Sequence, residues 1–128
     1  MARLTLTPVT PPGPFATLPL SANAADVAPV AQSTPGDGWA ISGNNGRQLL
    51  LVQNTDVGAQ TVTITSVARN GRTGDVTAYS LGAGELAIFG GFDRAGFNQS
   101  DGTVRIEASD ATVKCAVISC PSSIFPNS

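Results

Sequence analysis

Seven of the nine prolines in this 128-residue chain (Pro8, Pro11, Pro12, Pro14, Pro19, Pro29 and Pro35) fall within the first 35 residues, and this feature divides the molecule in two. Proline holds φ near −65° and has no N–H, so a segment carrying one every few residues can neither continue a helix nor occupy the middle of a sheet. Its favoured state is an extended backbone without a hydrogen-bonded ladder. Nor is the segment linker-like: its only charges are Arg3 and Asp26, and apolar residues stand between the prolines, whereas flexible linkers are polar or charged. Residues 1–35 are therefore expected to form an arm that lies along an apolar groove, on a neighbouring subunit or on its own domain, with a disordered segment as the remaining alternative. Leu4, Leu6, Val9, Phe15, Leu18 and Leu20 are the side chains it would place in a partner. A domain that folds without residues 2–34 follows from the same reading.

From Gly38 onward the pattern changes to short strands separated by turn residues at intervals of 8–12, the spacing of an all-β sandwich or barrel. Trp39–Ser42 and Gln48–Asn54 flank Gly43-Asn44-Asn45-Gly46, and Asn-Gly is a strong hairpin signal because both central positions of a type I′ turn need φ > 0. Residues 60–67 alternate Thr with Val and Ile at period two, as a half-buried strand does. Further strands are expected over Val76–Leu81, Glu85–Phe89, Thr103–Ser109 and Ala111–Cys120, with Gly82-Ala83-Gly84 reversing the chain and 92–102 a loop. The predicted fold is all-β: a single antiparallel β-sandwich or barrel-like domain of seven or eight short strands over 36–120, with the arm before it and a coil tail at 121–128.

One strand breaks the alternation. Leu49-Leu50-Leu51-Val52 is apolar at four consecutive positions, so its second face needs a cover from the arm or a partner. Phe89 and Phe92 flank Gly90-Gly91, and Phe125 sits in the tail. All three stand at element ends, where aromatics are enriched in subunit contacts. Leu50, Phe89, Phe92 and Phe125 are thus the domain's candidate partner-binding residues.

The chemistry open to this chain is narrow. It has no histidine, which removes every Ser-His-Asp and Cys-His arrangement and any His-based metal site. Its six arginines and one lysine are scattered, and the net charge of −2 supplies no basic footprint for nucleic acid. Apolar runs are a handful of residues long, far below the roughly 18–20 needed to cross a bilayer. Met1-Ala2-Arg3 is followed at once by Thr5, Thr7 and Pro8, so no secretory apolar region forms and folding in a cytoplasm is expected. Cys115 and Cys120 read as members of one strand, with Cα atoms roughly 16 Å apart. A disulfide needs about 4.4–6.8 Å, so both thiols are expected to be reduced.

Other constellations have ordinary explanations. Asp93, Asp101 and Asp110 fall in loops or at strand ends, the last two directly beside Gly or Ser, as turn-forming carboxylates do. Asn45-Gly46-Arg47 and Asn70-Gly71-Arg72 fall where hairpins are needed. Asn98-Gln99-Ser100 matches the glycosylation acceptor by chance, and the glycine-rich pieces lack the strand-to-helix context of a phosphate loop. Trp39 and Tyr79 are expected as core or interface anchors. No enzyme activity, cofactor, metal or small-molecule substrate is expected.

The segment order resembles small proteins that decorate or cement the heads of tailed bacteriophages. The resemblance spans roughly residues 38–119 and is carried by Asn45–Asn54, the Thr/Val strand at 60–67, Leu81-Gly82-Ala83-Gly84-Glu85 leading to Phe89-Gly90-Gly91-Phe92, and Phe97–Val104. It implies a compact β domain, trimeric on the capsid surface, whose terminal arm reaches over adjoining subunits of the major capsid protein. The implied function is that of a structural virion protein, made in the host cytoplasm, that stabilises the shell by non-covalent bridging. The alternatives are a neck, head–tail joining or tail component, and a β-sandwich module for glycan or host binding.

Overall fold

The computed structural model describes residues 3–11, 26–34, 36–68 and 74–120. These form nine strands and one short helix: β1 (Leu4–Leu6), β2 (Val30–Ala31), β3 (Trp39–Ser42), β4 (Gln48–Asn54), β5 (Gln60–Thr65), β6 (Val76–Leu81), β7 (Leu86–Gly90), α1 (Arg94–Phe97), β8 (Thr103–Ala108) and β9 (Val113–Ser119). The fold is all-β. A five-stranded sheet runs in the order β1-β3-β8-β5-β6, and a four-stranded sheet in the order β2-β9-β4-β7. Both sheets contribute to one hydrophobic core: Leu6, Trp39, Ile41, Val62, Ile64, Val104 and Ile106 from the first, and Leu50, Val52, Val113, Cys115 and Val117 from the second.

The proline-rich segment departs from expectation where it is described. β1 pairs in parallel with β3, Leu6 against Ile41, so the sheet is not purely antiparallel. Leu6 is 4% exposed within the core and Leu4 packs against it. Farther on, the Val9 N–H donates to the Val117 carbonyl and the Val9 carbonyl accepts from the Ser119 N–H, at 2.9 and 2.8 Å. β2 pairs with β9 on the same side as Val9. The reason is positional. Leu4-Thr5-Leu6 ends before Pro8, and Val30-Ala31 lies between Pro29 and Pro35; short proline-free stretches at a sheet edge need a ladder on one side only. Two of the nine strands thus come from the region expected to be an arm. Phe15, Leu18 and Leu20 lie outside the described residues, as does Phe125.

Two turns expected to close hairpins instead carry the chain between sheets. β3 belongs to the five-stranded sheet and β4 to the four-stranded one, so Gly43–Gly46 is a crossover. Asn44 draws it over the end of the core: its buried amide donates to the Phe92 carbonyl at 3.0 Å and to Asn98 Oδ1 at 2.8 Å. Gly82–Gly84 likewise joins β6 to β7 across the sheets. The second Asn-Gly, at 70–71, lies outside the described residues. The 92–102 loop contains the single turn of α1.

Asn54 anchors the opposite end. Fully buried, it donates from Nδ2 to the carbonyls of Gly58, Leu81 and Gly82 at 2.9–3.1 Å, and its Oδ1 accepts from the Asp56 N–H. Its backbone N–H and carbonyl meet the Glu85 carbonyl and the Gly84 N–H. One side chain therefore ties the 55–58 loop to the 82–85 crossover. Asn54→Ala leaves buried carbonyls without donors and is expected to lower stability by about 3 kcal/mol. A urea unfolding curve giving less than about 1 kcal/mol would show that other contacts hold these loops.

Candidate docking surface

Strand parity gives the two sheets outer faces of opposite character. On the five-stranded sheet, Thr5, Ala40, Arg105 and Thr65 lie in one cross-strand row, with Glu107 beside Thr63 in the next. Ion pairs from Arg3 to Glu107 (3.5 Å) and from Arg105 to Asp101 (3.7 Å) lie over this face. It is the polar outer side that a half-buried sheet normally turns to water.

The four-stranded sheet differs. Its outer rows are Gly90–Leu49–Ile118, Ile88–Leu51–Ala116 and Leu86–Gln53–Lys114, read across β7, β4 and β9. Only the last row carries polar groups. Ile88 is 63% exposed and Leu86 59%, while Leu49, Leu51 and Ile118 are half-buried. Val9 extends the patch beside Ile118. A contiguous apolar face of this kind is a candidate interaction surface, whereas single exposed apolar residues are not.

The candidate partner residues fall on both sides of this division. Leu50 and Phe92 are core residues, 0% and 3% exposed, and are withdrawn from any partner by burial. β4 does alternate. Gln48, Leu50, Val52 and Asn54 point inward, and Leu49, Leu51 and Gln53 outward. Four consecutive apolar residues hide this parity, and the polar residues at the strand's ends mislead because Gln48 and Asn54 are the buried ones. Leu6 is also in the core, while Leu4 and Val9 line an apolar cleft of about 220 Å³ with Val30 and Cys115. Phe89 is half-buried and meets Tyr79 edge-to-face, centroids 5.2 Å apart, across the gap between edge strands β7 and β6. Sequence reasoning singled out Leu50 within the 49–52 run in place of the outward Leu49 and Leu51, and missed Leu86, Ile88 and Ile118. The available signal was the non-alternating run at 49–52, which points to an apolar second face without saying which residues form it.

The titratable groups have structural roles here. Asp101 and Asp110 each accept from the hydroxyl and backbone N–H two residues on, at Thr103 and Thr112, and Asp75 accepts from the Ser66 hydroxyl and N–H. These hydrogen bonds hold all three carboxyls below their ordinary range. A carboxyl depressed by folding stabilises the native state above its unfolded pKa, about 3.9. That stability is lost as pH falls through the lower folded value. Urea midpoints are therefore expected to stay level from about pH 5 to 8, where the absent histidines would otherwise titrate, and to fall below about pH 4. A step near pH 6 would contradict this. Among the described residues no three His, Cys, Asp or Glu side chains gather as a metal site, and no helix is long and apolar enough to cross a membrane.

Cys115 and Cys120 are both free thiols. Cys115 lies in the core, where burial pushes its pKa up, and Cys120 is half-buried just past β9. In native protein one thiol per chain, Cys120, is expected to react with a disulfide reagent, the second only after unfolding. Rapid reaction of both would place Cys115 outside the core. Comparison of the chain with protein-family models, curated proteins and solved structures finds no match.

Proposed function

We propose that this chain is a structural virion protein: a β-sandwich that docks on the outside of a bacteriophage head and stabilises the shell by bridging capsid subunits. The observation that carries the reading is the contrast between the two outer faces. A small domain turning a polar face to water on one side and a row of Leu and Ile on the other is built to lie on a protein surface. The class of surface comes from the resemblance of residues 38–119 to head decoration proteins. Bridging requires no catalytic group, only shape and apolar area repeated over a lattice, where many weak contacts act together.

The test is co-sedimentation with purified heads, followed by imaging of the decorated particles. Binding that saturates at a fixed ratio over the whole lattice is the expected result. Leu51→Asp, at the centre of the apolar face, should weaken it about 30-fold, the effect of losing one central contact. Failure to associate with heads would overturn the reading, and density confined to one vertex would make the protein a neck or joining component.

A further inference from the structure

We infer that β7 is a self-association edge: two copies of this chain pair β7 antiparallel to β7 about a two-fold axis at Ile88, joining their four-stranded sheets into one. The inference goes beyond the capsid reading and does not depend on it.

Three of the four sheet edges carry the features that keep edges from pairing. β1 has three residues and is followed by Pro8; β2 has two and follows Pro29. β6 is irregular, with a register shift against β5 and Ala78 at φ +50°. β7 has neither a proline nor a register shift against β4, and its one positive φ is at its last residue, Gly90. Its five residues, Leu86-Ala87-Ile88-Phe89-Gly90, include no charge and no proline, and among the described residues no strand pairs with its outer edge.

The hydrogen-bonding phase is also suited to pairing. Asn54 donates to the Glu85 carbonyl, so Glu85 and, by alternation, Ala87 and Phe89 turn their backbone groups toward β4. Leu86 and Ile88 consequently present N–H and C=O at the open edge. An antiparallel pair centred on Ile88 satisfies both.

The side chains argue for a second copy over an unrelated strand. Around that centre Leu86 falls opposite Gly90, which has no side chain to obstruct it, and Ala87 falls opposite Phe89. Large meets small on both faces of the joined sheet, and Ile88 meets its own counterpart. Leu86, Ile88 and Tyr79, 59%, 63% and 48% exposed, supply much of the contact. With Phe89 and the edge backbone their whole exposed area is roughly 500 Å² per copy, so the pairing buries at most about 1,000 Å² in total, the lower bound for a specific interface. The dimer is accordingly one that dissociates on dilution. Pairing at the edge leaves Leu49, Leu51 and Ile118 uncovered, so the dimer presents a doubled apolar face.

Light scattering during gel filtration tests this on the full chain. Two chain masses are expected at high micromolar concentration and one on dilution. Ile88→Lys, an exposed position where a charge blocks edge pairing, should stay at one chain mass throughout with an unchanged circular dichroism spectrum, while Ser33→Lys, exposed just past β2 at the opposite edge of the sheet, should dimerise normally. In a Cys120→Ser background, Ile88→Cys should cross-link to a dimer on mild oxidation, because directly paired Cα atoms lie about 5.5 Å apart, and Ser33→Cys should not. One chain mass at every concentration, three chain masses, a dimer surviving Ile88→Lys, or no preference for the Ile88→Cys cross-link would each overturn the inference. Head binding is scored separately with Leu51→Asp, so either reading can fail without the other.

Discussion

A chain lacking residues 1–11 is expected to lose most of its stability, although the sequence alone predicts a domain that folds without them. Leu6 fills a core position between the sheets, and truncating a buried leucine costs about 2–5 kcal/mol even when the backbone remains. Deletion takes the backbone too. It uncovers the edge of β3, whose Trp39 and Ile41 are fully buried, and removes both Val9 hydrogen bonds to β9. Arg3 is lost as well, with its bonds to the Asp37 and Ile106 carbonyls and its ion pair to Glu107. Against a total stability of about 5–15 kcal/mol for a domain of this size, these losses leave a marginal fold. Chemical denaturation of the truncated chain beside Leu6→Ala measures the two contributions. A truncated chain unfolding at the wild-type midpoint would return the segment to the status of an arm.

Leu50→Asp and Leu51→Asp, adjacent on β4, are expected to behave oppositely. At Leu50, 0% exposed between the sheets, a carboxylate has no partner and no water. Its burial costs more than about 4–5 kcal/mol, enough to prevent folding. At Leu51, half-buried on the outer face, the carboxylate reaches solvent and the domain should fold with a loss of about 1 kcal/mol, typical of a single substitution. Circular dichroism and urea unfolding of both variants decide the matter. A folded Leu50→Asp, or an unfolded Leu51→Asp, would mean that the strand's parity is reversed.

These two expectations mark where the sequence was legible. Strands with polar–apolar alternation could be located almost to the residue: β5 from its Thr/Val/Ile run, β8 from the alternation over Thr103–Ser109, and β3 and β4 from the turn residues between them. The turn roles of Asp101 and Asp110 were equally readable, because a short carboxylate reaches the N–H two residues ahead whatever surrounds it. Interactions of this kind span a few residues, so local order along the chain suffices to specify them.

Which sheet each strand joins, and which way it faces, is not encoded at that range. Asn-Gly between β3 and β4 has the chemistry of a hairpin, yet the chain crosses between sheets there because Asn44 is held by Phe92 and Asn98, about fifty residues away. Leu50 and Leu51 are chemically identical. Pairing of β4 with β9, and Asn54 bonding to the carbonyls of Leu81 and Gly82 nearly thirty residues away, set the one inward and the other outward. Leu4-Thr5-Leu6 could serve equally as an arm or an edge strand, and an open position beside β3 made it the latter. A period-two strand admits two parities of nearly equal local energy, and only burial against the rest of the molecule separates them.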